Sequence, residues 1–328
     1  MSARPNPPEG ETETAARAPA VITWAYLTPT AISTVVAAAK RAGVVAVDTE
    51  FVRDRTYFPE LGLVQIAVPG HEPAPPTSDG AQPDPAVEGV RVWLVDPLES
   101  QNAPVLEMVA EIMTDSDVTK VMHGASQDIA VIRYAFGVVP VNVFDTQIAA
   151  AVHGIGDQVG YAALVGQLLG ATIPKDSQRE DWLRRPIPRR ALDYAAADVA
   201  YLPALVTKLT QELHPRNRLG EARERMDAMV TQAARDPSPE DLASKIKTYG
   251  RLNPHQKARL RGLVAWRDNE ARRANLPRRW VLEDDVLLSL ARVGPIDREE
   301  LADITALPSK ARQRWGDELL QAMRVKNA

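Results

Sequence analysis

Apolar residues along this chain fall into short runs that switch between a strand-like and a helix-like period. The first, over 21–26, is β-prone, and Thr28-Pro29 after it reads as an N-cap with proline at the first helical position. That pair predicts a helix over 28–41, stopped by Gly43. Val44-Val45-Ala46-Val47 is a short apolar β run that delivers Asp48, Thr49 and Glu50 at its end, and further strands are predicted over 61–68 and 90–95. Beyond them the pattern alternates: helix near 103–113, strand 118–122, helix 127–136, a short strand 141–144, then helices to about 214. Three early strands without intervening helices, followed by β–α alternation, predict an α/β domain with a mixed sheet flanked by helices.

Two segments interrupt this order. Residues 69–89 carry prolines at 69, 73, 75, 76, 83 and 85, too many and over too long a stretch for an ordinary connection, so a surface insertion is expected. A polar helix over 221–234 ends in Asp236-Pro237-Ser238-Pro239, which reads as a domain boundary. After it only helical signals remain, among them Asn253-Pro254 as cap and first turn of a helix to about 274. The expected layout is a tail at 1–20, an α/β domain at 21–215, a helical linker at 216–240 and a small all-α bundle at 241–328. A length of 328 residues accommodates two such domains.

Composition narrows the function classes. With 45% hydrophobic and 25% charged residues and no apolar run long enough for a membrane span, the chain has the balance of a soluble globular protein. The first twenty residues have no apolar core, so neither signal peptide nor anchor is expected, and a cytoplasmic address fits. Without cysteine there is no disulfide scaffold, thiol catalysis or thiolate-bound metal. The net charge of −4 hides an uneven distribution: residues 241–280 hold eleven Lys and Arg against three Asp and Glu. An acidic body with one basic segment fits polyanion binding by that segment, and it fits a solvated helix face equally well.

Three acidic groups carry candidate chemistry. Asp48 and Glu50, at i and i+2 of a strand, face one side of the sheet, where a divalent cation between them would relieve their repulsion. A solvated strand end has the same pattern. Asp128, in His123-Gly124-Ala125-Ser126-Gln127-Asp128, follows a strand and sits in a helix that Ser126 can cap; an acid there also simply favours the helix dipole. Tyr194 and Asp198, four apart on a helix with three alanines between them, share a helical face, as would a tyrosine at the core edge beside an exposed acid. Together the acids would suit phosphodiester cleavage by two metal ions held ~3.5–4 Å apart.

In combination these segments resemble the ribonuclease D family. Asp48-Thr49-Glu50-Phe51-Val52-Arg53 with Arg55-Thr56-Tyr57 and Leu61-Gly62-Leu63-Val64-Gln65 is similar to its first exonuclease motif. His123 to Ile129 is similar to the second, and Asp181-Trp182 with Arg185-Pro186, followed by Tyr194 to Asp198, to the third, in the tyrosine-bearing branch of the DEDD 3′–5′ exonucleases. The resemblance implies a ribonuclease-H-like fold with a mixed five-stranded sheet over about 21–215. It implies two divalent cations, Mg²⁺ or Mn²⁺, held by Asp48, Glu50, Asp128 and Asp198, with Asp48 bridging both and Asp128 acting through water. Tyr194 would position or help deprotonate the nucleophilic water, and Thr49 and Phe51 would contact the terminal nucleotide. The implied activity is release of nucleoside monophosphates from RNA 3′ ends, with tRNA precursors as substrates. A DNA-directed exonuclease of the same branch is the rival enzyme; an inert nucleic-acid-binding protein is the rival outside enzymes, and the intact acids argue against it. Lys175-Asp176-Ser177 departs from the family's usual Lys-Ser, and the 69–89 insertion is longer than usual.

Residues 241–328 resemble the helicase-and-ribonuclease-D C-terminal (HRDC) domain, a nucleic-acid-binding module, through Leu252-Asn253-Pro254-His255-Gln256, Trp266-Arg267, Leu276-Pro277 before Val281-Leu282, and Asp284 to Leu288. One such domain fits. Lys245, Lys247, Lys257, Arg259 and Arg261 are its candidate RNA contacts; Lys175, Arg179, Arg184, Arg185, Arg189 and Arg190 form a second basic cluster that could line the substrate path. Trp266 and Trp280 could stack on bases, although burial in the bundle core is the ordinary fate of such residues. The protein is expected to act as a monomer.

Overall fold

The structure, a computed structural model, describes residues 22–70, 85–173 and 180–324. The expected tail, most of the proline-rich insertion, and Lys175, Asp176, Ser177 and Arg179 lie outside the described residues.

Six strands form one mixed sheet: β1 (Trp24–Tyr26), β2 (Val44–Val52), β3 (Glu60–Val68), β4 (Arg91–Val95), β5 (Thr119–Met122) and β6 (Val143–Asp145), in the order β1-β4-β3-β2-β5-β6. β2 and β4 pair antiparallel with β3, while β1 runs parallel to β4, β5 to β2 and β6 to β5. The five strands implied by the resemblance are thus joined by a sixth, the three-residue β1. Helices α1 (Ile32–Ala42), α2 (Ala103–Thr114) and α3 (Ser126–Phe136) cover one face. The other face is covered by α4 (Thr146–His153), α5 (Tyr161–Leu169), α6 (Arg189–Ala200) and α7 (Leu202–Leu213).

The sheet divides two apolar layers by simple alternation. Ala46, Leu63, Ala67, Val92 and Leu94 point to the α6 side, and Val45, Val47, Val64, Ile66, Trp93 and Val95 to the α1–α3 side. α8 (Leu219–Ala234), expected as a linker, packs onto the body instead: Ala222 and Met226 enter the first layer, and Met229, Val230 and Ala233 lie against the second. The C-terminal bundle comprises α9 (Pro239–Ser244), α10 (Pro254–Ala274), α11 (Arg278–Val281), α12 (Asp284–Val293), α13 (Arg298–Ala302) and α14 (Ser309–Met323), around a separate core that includes Leu260, Leu263, Leu287, Leu290, Leu301 and Leu319.

Several local expectations change. The first helix begins at Ile32, because Thr28 accepts a hydrogen bond from the Ala31 amide at 3.0 Å and closes a turn there. Strand β2 does not stop at Val47; pairing with β3 extends it to Val52, so Asp48 and Glu50 sit inside a strand. Asn253 does cap α10, in a reciprocal pair with Gln256. Of the two tryptophans expected in the bundle core, Trp266 lies half-buried, edge-on to Trp315 at 5.6 Å, whereas Trp280 is 61% exposed.

Candidate active site

Strand β2 sets the site. Ala46, Asp48 and Glu50 share the face that meets α6, the helix bearing Tyr194 and Asp198. α6 can approach because the side it packs with is almost all alanine: Ala191, Ala195, Ala196 and Ala197 are buried. On the opposite face of β2, the buried Thr49 hydroxyl donates to Asp128 Oδ1 at 2.5 Å, tying the first turn of α3 to the strand. Phe51 lies on that same side, half-buried against the α1–α3 layer. Thr49 and Phe51 therefore point away from the face of Asp48 and Glu50.

The four carboxyl groups sense one another. Burial, followed by Asp128, Asp198 and Glu50, pushes Asp48 well above the usual carboxylate range. Glu50 is raised to about 8 by burial, with Asp198 and Asp128 adding to it. Asp128 lies at about 6, burial outweighing hydrogen bonds from Thr49 that favour its ionised form. Asp198 lies at about 7, burial outweighing a hydrogen bond from Tyr194. Burial first, then Asp198 and Glu50, raise the Tyr194 phenol, which stays protonated and can donate. Clustered oxygen donors that cannot ionise together are suited to a hard divalent cation, which would reverse the sign of their field. Among the described residues, no three of His, Cys, Asp and Glu already close around one point as a cage. The donor chemistry fits a cation, while the cage is not preformed.

The frame around the acids relies on Asp145 and Asp96, which sequence reasoning did not single out, and on motif residues to which it gave no structural role. Ser126 does not cap α3; the buried Asp145 carboxylate, at the end of β6, accepts from the amides of Gly124 at 3.2 Å and Ala125 at 2.8 Å, and caps α4 through Gln147 and Ile148. Asp145-Thr146 before a helical run was its readable signal. Arg185 grips Asp96 with two bonds of 2.6 and 2.7 Å and donates to the Gly62 and Trp182 carbonyls, each at 2.7 Å. It holds the segment before α6 onto β3. Gly62 permits that contact, since a Cβ there would lie 2.7 Å from the Trp182 carbonyl oxygen. Gln65, directly opposite Asp48 on β3, is fully buried, and neither amide atom finds a partner among the described residues. His123 is engaged by Thr146 at 2.9 Å and the Val159 carbonyl at 3.1 Å.

The candidate basic contacts divide. Lys245 and Lys247 are exposed. Lys257 lies over the Tyr249 ring at 5.3 Å, Arg259 reaches the Ala291 carbonyl, and Arg261 pairs with Glu240 at 3.1 Å, so these three are engaged within the bundle. In the second cluster Arg185 is the clamp just described, while Arg189 pairs with Asp193 and Arg190 with Glu180. Arg184 is exposed.

Comparison with known proteins agrees with this arrangement. A 3′–5′ exonuclease family profile matches residues 25–214, and an HRDC domain profile matches 256–323. Ribonuclease D of Xanthomonas oryzae pv. oryzae is 38% identical over 264 residues, covering 80% of this chain and 66% of that protein. Ribonuclease D of Gluconacetobacter diazotrophicus is 36% identical over 292 residues, covering 88% and 68%. The chain therefore spans about two thirds of the length of these relatives. The crystal structure of Escherichia coli RNase D, described as an exoribonuclease involved in structured RNA processing, superposes with a TM-score of 0.72 at 30% identity, over 92% of this chain and 74% of that one. Acids from β2, α3 and α6, a tyrosine one helical turn from the last of them, and these matches along both domains lead to one assignment: the chain belongs to the ribonuclease D family of 3′–5′ exonucleases.

Proposed function

We propose that this protein is a divalent-metal-dependent 3′–5′ exoribonuclease of the cytoplasm, releasing nucleoside monophosphates from the 3′ ends of RNA, with tRNA precursors as substrates. The proposal is supported most directly by the 3′–5′ exonuclease family match over residues 25–214, and by Asp48 lying in the field of Asp128, Asp198 and Glu50, carried by β2, α3 and α6. In this reading Asp48, Glu50, Asp128 and Asp198 would be the residues that hold the cations, with Asp128 acting through water. Bound Mg²⁺ or Mn²⁺ supplies charge stabilisation at the attacking and leaving oxygens.

The chain's own residues do the rest. Tyr194, held protonated and donating its one hydrogen to Asp198, orients the attacking water by accepting a hydrogen bond from it. Thr49 keeps Asp128 directed at the site, and the Arg185 clamp keeps the segment leading into α6 on the sheet. Attack on the terminal phosphorus breaks the bond to the 3′ oxygen of the preceding nucleotide, which takes up a proton as it leaves.

The test is parallel digestion of matched RNA and DNA oligomers, each with a free or blocked 3′ end, in Mg²⁺ or Mn²⁺. Mononucleotides should appear from RNA with a free 3′-hydroxyl and not from the blocked form. Asp48→Asn should lower the rate at least about a hundredfold. Faster release from DNA than from RNA would overturn the substrate assignment, and full turnover by Asp48→Asn would overturn the site.

A further inference from the structure

Trp280 is an anomaly in a protein with a well-filled second core. An indole gains more than most side chains from burial, yet this one is 61% exposed, while Leu282 two residues on is 4% exposed and sits in the bundle core. It stands at the rim of a groove of about 340 Å³ between the two domains. Arg53 and Thr56 line it from the exonuclease domain, and Pro277, Arg278, Arg279 and Trp280 from the bundle, with Asp54 as the one acid on the lining. Arg278 is committed to Asp268 at 2.5 Å and to the Tyr57 hydroxyl. Arg53 and Arg279 are exposed and appear in no ion pair among the described residues. A second cavity, of about 510 Å³, shares Arg53, Arg278 and Arg279 with the first and adds Lys245. Asp241 and Asp284 also line this second cavity, where they pair with Arg235 and Arg267, so the cations it shares with the first groove, with Lys245, are its basic part.

Position connects this surface to the acids. Arg53 follows Glu50 by three residues, so their Cα atoms are at most about 11 Å apart along three virtual bonds of 3.80 Å. Arg53 is therefore within reach of a nucleotide neighbouring one held at the acids. The groove is also rigid, because the domains are fastened beside it. The buried Tyr57 hydroxyl bonds Asp268 and accepts from Arg272 and Arg278, and Asn275 Oδ1 accepts from the amides of Tyr57 and Phe58.

We propose that the Arg53–Arg279–Trp280 groove is a binding subsite for the single-stranded RNA just 5′ of the scissile nucleotide, with a base stacked on Trp280 and its phosphates against Arg53 and Arg279. The inference rests on the exoribonuclease reading and deepens it. It gives the helical domain a defined role through the α10–α11 turn, in place of Lys257, Arg259 and Arg261, which are engaged elsewhere. An aromatic face flanked by unpaired cations is the means by which proteins hold single strands without reading sequence.

Two arms test it. In the first, kcat/KM is compared for a single-stranded oligoadenylate of about a dozen nucleotides and for a dinucleotide too short to reach the groove. Trp280→Ala should shrink the wild-type preference for the long substrate about tenfold, through KM, and Trp280→Phe should restore most of it. In the second, equilibrium binding of the same labelled long oligomer is measured against salt, without divalent cations. Arg53→Gln with Arg279→Gln should flatten the slope of log affinity on log salt by about 0.7 per charge removed. An unaltered preference in folded Trp280→Ala together with an unaltered salt slope would overturn the subsite. Should the wild-type protein release nothing from RNA, the exoribonuclease reading fails, and the binding arm still decides whether the groove holds a single strand.

Discussion

Holding four carboxyl groups in one another's field is unfavourable without a compensating charge, and the cost depends on pH in a definite sense. Asp128, Asp198 and Glu50 are raised to about 6, 7 and 8, chiefly by burial, so the folded protein binds their protons more tightly than the unfolded chain does. Their contribution to stability is therefore greatest below the unfolded value of about 4 and is lost as pH rises through 6 to 8. Cations that bind only the folded form recover that loss. Thermal melts of the metal-free protein should fall between pH 5.5 and pH 8, and added Mg²⁺ or Mn²⁺ should raise the midpoint more at pH 8 than at pH 5.5. A cation effect independent of pH would argue against these acids as the ligands. At this scale the candidate residues were nameable from the sequence, because Asp48, Glu50, Asp128, Tyr194 and Asp198 fall in ordered motifs. The residues that hold them were harder to read: Arg185 meets Asp96 across 89 positions and Asp145 serves Ala125 across 20, and no local pattern reports such pairings.

Elements carry the acids into register, and their spacing depends on a few small residues. Gly62 lies where the chain before α6 crosses β3, and a methyl group there would meet the Trp182 carbonyl oxygen at 2.7 Å and its Cβ at 2.8 Å. Both belong to a buried, clamped segment with little freedom to move. Gly62→Ala should cost about 1–3 kcal/mol in chemical denaturation, as overpacking does. It should also lower turnover beyond what stability explains, since Tyr194 and Asp198 follow that segment on α6. Retention of both stability and rate would show that the segment can shift without disturbing the site. Periodicity located most elements, and it failed where tertiary pairing overrides local signals. The apolar run at 44–47 carried no sign that β3 would draw the strand on through polar Asp48, Thr49 and Glu50. Three-residue β1 falls inside the β-prone run at 21–26, but its parallel pairing with β4 is encoded by no local pattern. Ser126 read as a cap, yet α3 begins without a side-chain cap, and the turn before it is held by Asp145 from another strand.

Over the whole molecule, the two domains are fastened by polar contacts that the sequence concealed, since Tyr57 read only as part of an exonuclease motif. Its ring lies between the guanidinium groups of Arg272 and Arg278, 5.2 and 4.9 Å from its centroid, and its hydroxyl bonds Asp268 at 3.0 Å. A second fastening centres on Asp236, at the expected domain boundary, which accepts from Arg133 at 2.8 Å and Tyr134 at 2.9 Å and pairs with Arg272 at 3.0 Å. The bond from Arg133, above all, holds the Asp236 carboxyl below its usual range. A depressed acid stabilises the folded state above its unfolded value of about 4, and that support is lost as pH falls below it. It is therefore intact through the range in which Asp128, Asp198 and Glu50 titrate, so the two effects separate on the pH axis. Asp236→Ala leaves Arg133, Tyr134 and Arg272 without their shared acceptor, while Tyr57→Phe keeps the ring and removes only the hydroxyl. Both variants should preserve the core of each domain and loosen the connection between them. At neutral pH the expected result is faster proteolytic cleavage near the 236–239 boundary, with Asp236→Ala the more affected because it removes an ionised acceptor, whereas Tyr57→Phe removes a neutral hydroxyl and keeps the ring in place. For long RNA, KM should rise in both, since the Arg53–Arg279 groove is assembled from the two sides of this joint. Cleavage and KM indistinguishable from wild type would mean that apolar packing alone sets the domain arrangement.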